Sequence, residues 1–90
     1  MNQYLVLLRR DAQKQLDSIP GKDNEAIRKA LHSLENEPKS HNVLKLTGAE
    51  LWRLRVGKFH LIYSVDDRNK RIIVVKVSKR DENTYKDIGG

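Results

Sequence analysis

The spacing of hydrophobic positions shifts along the chain from that of a strand to that of a helix and back again. From Asn2 to Leu8 the sequence is rich in Tyr, Leu and Val and predicts a strand. Ala12, Leu16 and Ile19 then recur at i, i+4 and i+7, one apolar stripe of a short helix over Asp11 to Ile19. Pro20-Gly21 breaks that pattern. Asp23 is placed to cap a second helix running to about Asn36, whose Ala26, Ile27, Ala30, Leu31 and Leu34 again share a face. Pro38 ends this helical hairpin, and a loop through His41 leads into Val43-Leu44-Lys45-Leu46-Thr47-Gly48.

Strict alternation follows in LWRLRVGKFHLIY, residues 51–63, where Trp52, Leu54 and Val56 are interleaved with Arg53 and Arg55. Alternation of this kind marks half-buried strands. Gly57-Lys58 is a two-residue turn of the Gly-X type that suits a type II′ hairpin. It sets Val56 opposite Phe59, Arg55 opposite His60, Leu54 opposite Leu61 and Trp52 opposite Tyr63, so the apolar pairs share one face. A last strand, Arg71 to Ser78, follows the turn DDRNK and has two possible parities. Ile73, Val75 and Val77 are the more uniformly apolar set, and burying them turns Lys76, Ser78 and Arg80 to the side of Arg55 and His60. The expected fold is α+β, one domain over residues 1–90: a small antiparallel sheet, made of the N-terminal strand plus a three-stranded meander, with the helical hairpin packed on one face.

Charge sharpens the picture of the other face. The chain carries 18 Lys and Arg against 12 Asp and Glu, a net +6, unevenly distributed. Between Lys45 and Arg80 ten basic residues face three acidic ones (Glu50, Asp66, Asp67), a local net of +7 that favours a polyanionic partner. Cysteine is absent, which excludes disulfides, a thiol nucleophile and Cys-type zinc sites and suits a reducing cytosol. The apolar YLVLL near the N-terminus is too short for a signal sequence or a membrane span. The expectation is a cytoplasmic protein with no membrane association.

Directly opposed residues on paired strands have Cβ atoms about 4.5–5.5 Å apart, so Arg55 and His60 are expected side by side, able to meet one small ligand. The guanidinium is a planar fork suited to phosphate, and imidazole is the usual acid or base near neutral pH. Arg53 and Lys58 extend a phosphate track. This set fits metal-independent cleavage of RNA, in which a 2′-OH attacks the adjacent phosphate with help from a base, an acid and surrounding cations. The histidines His32, His41 and His60 are scattered without a carboxylate cluster, which argues against a metal site. Glycine patterns for nucleotide binding are absent, and so small a chain does not easily enclose a cofactor. From the residues alone, Arg53 and Arg55 equally fit a solvated strand face, and His60 an exposed strand residue without a role. Trp52, Phe59 and Tyr63 fall on the core side, whereas His32 and His41 read as surface or structural positions.

The runs KLTG (Lys45 to Gly48), LWRLRVGKFHLIYSV and IIVVKVSKRDENTY (Ile72 to Tyr85) resemble the RelE/ParE superfamily of type II toxins, most of all its RelE branch. The resemblance spans nearly the whole chain and implies a toxin that enters the ribosomal A site, cuts mRNA there and is held in check by a cognate antitoxin. It implies that Arg55 and Arg80 stabilise transition-state charge, that Arg53, Lys58 and Lys79 hold the RNA backbone, and that Tyr85 is the general base; Lys76, set on the Arg55 side by the parity of the last strand, is expected to join the RNA-binding set. His60 stands where the family usually carries Arg; it either supplies the acid or base itself or weakens phosphate binding. Two other readings stay open: a ParE-like toxin that binds DNA gyrase, and a catalytically weak RNA-binding relative.

Overall fold

In the computed structural model, which describes residues 3–39, 43–46 and 50–79, strands β1 (Leu5–Leu8), β2 (Val43–Lys45), β3 (Trp52–Val56), β4 (Phe59–Asp66) and β5 (Arg71–Lys79) form one sheet. Helices α1 (Arg10–Asp17) and α2 (Gly21–Leu34) form the hairpin between β1 and β2. The sheet order is β1-β5-β4-β3-β2. The α+β class and the one-sided helical hairpin agree with expectation. The sheet itself needs correction: β1 runs parallel to β5, so it is mixed rather than antiparallel, and Val43–Lys45 adds a strand beyond the meander. Alternation encodes which face a side chain takes but not the direction of the neighbouring strand.

The helix boundaries move by one to three residues. Ser18 N–H donates to the Lys14 carbonyl at 3.1 Å and Ile19 N–H to that of Leu16 at 3.0 Å, closing α1 before Ile19. At α2 the cap position is Pro20, which has no amide to leave unsatisfied, and Asp23 falls in the first turn where the helix dipole favours a carboxylate.

The helices cover the sheet face that carries Leu54, Leu61, Tyr63, Ile72, Val74 and Val77, and these join Ala12, Leu16, Ile27, Leu31 and Leu34 in the core. Tyr63 is fully buried, and its hydroxyl donates to the Pro38 carbonyl at 2.7 Å, which anchors the segment following α2. Burial pushes its pKa up to about 12.

A bulge decides the parity of β5. Tyr63 pairs with Val74 but Ile62 with Lys76, which leaves Val75 as the extra residue. Before it, Ile72 and Val74 point into the core; after it, Val77 does. The expected inward set was thus right for Val77 and wrong for Ile73, which is 37% exposed. Assigning parity from hydrophobicity presumes an unbroken ladder, and one inserted residue reverses it.

The hairpin turn behaves as its sequence demands. Gly57 has φ +56° and Lys58 does not share a positive φ, the pattern of a type II′ turn. Nothing lies within 4 Å of a Cβ built on Gly57, so a side chain there meets only backbone strain. Gly57→Ala is expected to destabilise the fold by about 1–2 kcal/mol, visible as a lowered urea midpoint at unchanged slope.

At the opposite end, two carboxylates organise the β4–β5 turn. Asp66 accepts from the Asn69 side chain at 2.8 Å and from the amides of Arg68 and Asn69. Asp67 accepts from the Tyr4 hydroxyl at 2.6 Å and from Lys39 at 2.7 Å. Hydrogen bonding from Asn69 lowers the Asp66 pKa, and hydrogen bonding from Lys39 and then Tyr4 lowers that of Asp67. A depressed folded pKa contributes stability above the unfolded value of about 3.9, lost as pH falls through the folded pKa. Thermal unfolding followed against pH should therefore show a loss below about pH 4. The Asp66→Asn/Asp67→Asn double variant should show a shallower acid limb.

Candidate functional site

The open face of the sheet is assembled from alternate residues of the meander. Arg55 pairs with His60, and His60 with Ser78; one step along, Arg53 pairs with Ile62, and Ile62 with Lys76. Strand alternation turns all six away from the face that buries Leu54, Leu61 and Val77. The expected neighbours Arg55 and His60 are therefore brought together, with Arg53 and Lys76 beside them. Arg55, Lys76 and the turn residue Lys58 are exposed, and Arg53 is half-buried.

His60 departs from expectation. It is only 8% exposed, with Phe59 and Leu61 buried on either side of it, and it is not without a partner. An open, solvated imidazole is thus replaced by a packed one.

Lys79 also sits differently from Lys76. It pairs with Phe59 at the end of β5 and has the parity of Val77, so it leaves the sheet on the helix side. Arg80, Tyr85 and His41 lie outside the described residues. The acidic residue Asp66 alternates onto the open face at the far end of β4, where it is occupied in the turn.

A second group of cations was not anticipated. The ammonium groups of Lys39 and Lys45 stand 5.5 Å and 5.9 Å from the centre of the Trp52 ring. Lys45 reaches Trp52 because β2 pairs with β3, and Lys39 because its other partner is Asp67. The first contact becomes legible only once Val43–Lys45 is recognised as a strand; the second has no local signal. Leu44, paired with Arg53 and 54% exposed, puts an apolar side chain at this edge of the open face.

Among the described residues no three His, Asp or Glu side chains come together in a metal-binding group. No described helix is long and apolar enough to cross a membrane.

Against known proteins, the family model for the ParE toxin of the type II toxin–antitoxin system parDE matches residues 6–84. The chain belongs to this family. The RelE/ParE superfamily resemblance carried by its KLTG, LWRLRV and VSKR segments is thereby shown, and the protein is a toxin of type II toxin–antitoxin character.

Solved structures give the same fold for the ParE-family chain. The archaeal RelE–RelB complex from Pyrococcus horikoshii OT3 is similar at 31% identity and a TM-score of 0.77, over 91% of this chain and 99% of that one. The isolated Escherichia coli RelE toxin matches at 20% identity and a TM-score of 0.78, over 96% of each chain. A YoeB/ParE toxin from Agrobacterium tumefaciens matches at 14% identity and 0.74, over 86% of this chain and 99% of that one. At such identities the last two establish architecture alone. Comparison of the sequence with curated proteins yields no match.

Proposed function

We propose that this ParE-family toxin is a ribosome-dependent endoribonuclease that cuts mRNA in the A site, acts in the cytoplasm and is restrained by a cognate antitoxin. The observation that carries this reading is the cation group Arg53, Arg55 and Lys76 on the sheet face that the helices leave uncovered, with His60 beside Arg55. A phosphodiester laid across these strands meets positive charge from adjacent positions. The 31% identical archaeal relative is a RelE crystallised with its RelB, which favours the antitoxin partner.

In the proposed step a base takes the 2′-OH proton as that oxygen attacks the neighbouring phosphorus. The bond to the 5′ oxygen breaks, an acid returns a proton to it, and a cyclic phosphate and a 5′-hydroxyl are left. The chemistry is metal-independent and needs no cofactor. Arg55 and Arg80 act on the charge of the pentacoordinate phosphoryl group, while Arg53, Lys58, Lys76 and Lys79 hold the backbone. The parity that Lys79 shares with Val77 sets it off from Arg55 and Lys76 on the open face.

His60 and Tyr85 compete for the role of base. With His60 packed between strands, His60→Gln tests both possibilities in a defined translation system, with primer extension mapping the cuts. A loss of roughly 10²-fold or more with an altered pH profile makes His60 the proton carrier. A loss of less than about tenfold passes that role to Tyr85, and Tyr85→Phe should then show the larger effect.

The match to a ParE family model favours a second reading, in which the same fold binds DNA gyrase and inhibits it. Supercoiling assays separate the two readings. Gyrase inhibition with no mRNA cuts on ribosomes would overturn the nuclease assignment.

A further inference from the structure

Arg53 belongs to a row of side chains that crosses four strands of the open face. Leu44 pairs with Arg53, Arg53 with Ile62, and Ile62 with Lys76. At the usual strand spacing the row is roughly 14 Å long. It runs apolar, cationic, apolar, cationic. Its two apolar members differ: Ile62 is half-buried between the cations, whereas Leu44, on the edge strand β2, is 54% exposed.

The backbone of β2 leaves Leu44 only its side chain to offer. Leu46 N–H donates to the Leu51 carbonyl at 2.9 Å, and hydrogen-bonded pairs alternate along an antiparallel ladder, so the peptide groups of Leu44 are also directed at β3. Its neighbours Val43 and Lys45 alternate to the other face, where Lys45 stands over the Trp52 ring. The carboxylate of Asp66 alternates onto the open face two steps further along β4 from Ile62 and is held in its turn by Asn69, so it does not oppose an anion laid beside Leu44.

A single exposed leucine is ordinary on a protein surface. One held in register with the cations of a phosphate track is a different case. Single-stranded RNA carries an anionic backbone and flat, largely apolar base faces, and its readers set cations for the first beside side chains that lie against the second. We infer that Leu44 is a shelf for one nucleobase of the strand whose phosphate Arg53 holds, and thereby a determinant of which nucleotide stands near the cut. The inference rests on the endoribonuclease reading and assigns it a specificity element. With no donor or acceptor, the shelf ranks bases by the area of the face laid on it, purines ahead of pyrimidines, rather than by the pattern of their edges.

The test uses the full chain and 2′-O-methyl tetra-adenylate, which has no free 2′-OH to attack, with the same oligomer lacking its bases as control. Binding is followed by NMR of the leucine methyl and arginine side-chain signals. Arg53 should respond to both oligomers, and the Leu44 methyls should move upfield with tetra-adenylate alone. Leu44→Ser should weaken tetra-adenylate binding by about fivefold, the low end for losing a side chain against a base, and leave affinity for the baseless oligomer unchanged. Leu44→Phe should restore the difference. Because Leu44 is exposed, both variants should keep the wild-type Tm. On ribosomes, Leu44→Ser should still cut mRNA, with a reduced base bias at one position beside the cut.

Arg53 signals that respond while Leu44 stays unmoved would overturn the inference and leave the nuclease reading standing. Equal weakening of both oligomers by Leu44→Ser, or an unchanged base bias, would overturn it as well. Leu44 shifts that grow with protein concentration in the absence of RNA would make a second copy of the chain the occupant and reject the shelf. If neither Arg53 nor Leu44 responded to RNA, the open face would not be the RNA site, and both readings would fall together.

Discussion

Arg55→Ala is expected to reduce ribosome-programmed mRNA cleavage by roughly 10²-fold or more, the scale of removing one transition-state donor. Arg55 is exposed on the uncovered face, directly across from His60 and one step from Arg53. Its charge is worth most when the phosphoryl group is most negative, so the loss should appear in the single-turnover chemical step while binding to ribosomes changes far less. Arg80→Ala is expected to act alike through the same charge. Arg68→Ala, in the turn at the opposite end of the meander, removes an equal charge from a place where no cleavage role is assigned, and should be nearly silent. If Arg55→Ala and Arg68→Ala weakened cleavage equally, the open face would be acting through bulk charge and the site would be wrong.

The largest effect on stability is expected at Leu61. It is fully buried between Leu54 on β3 and Val77 on β5, beneath the helical hairpin, with no polar group to rescue the space it fills. Leu61→Ala should cost about 2–5 kcal/mol from lost transfer energy plus the cavity left behind. For a domain of this size each kcal/mol moves Tm by about 4–8 °C, so thermal unfolding should show a drop of at least 8 °C or so. Total stabilities are about 5–15 kcal/mol, so this one side chain decides whether the fold is comfortable or marginal.

Tyr63→Phe, two residues on, isolates a smaller and different term. It keeps the ring but leaves the Pro38 carbonyl without its donor, at about 1–3 kcal/mol. Wild type should also lose stability in alkali through this group. Its folded pKa is raised to about 12 by burial, so its contribution is full below the unfolded value of about 10 and fades as pH climbs through the folded one. The Phe variant should lack that part of the alkaline limb.

Much of the open face was written locally. The Gly57-Lys58 turn and the alternation of residues 52–63 set the β3–β4 register, so Arg55 came out opposite His60 as expected. The turn geometry and the burial pattern both demand that register, and a one-residue slip would expose Leu54 and Leu61. The helical stripes were legible for the same reason, since Leu16, Ile27, Leu31 and Leu34 repeat at the period of a helix and all reach the core. The family was legible too, because short motifs such as KLTG and VSKR sit on single elements or just past them.

The sequence by itself thus determined two helices, a β3–β4 hairpin in one register and a basic strand face opposite an apolar one, because each depends on contacts between near neighbours. Tertiary structure alone decided the rest. Joining β1 to β5 in parallel brings together residues more than sixty positions apart, and no periodicity records such a pairing. The bulge at Val75 reversed the parity of Ile73 while leaving Val77 in the core, an outcome set by fitting β5 to β4 rather than by the composition of either. His60 had the sequence signature of an exposed strand residue, yet it is packed, because burial depends on every element that closes over a position and not on alternation within its own strand.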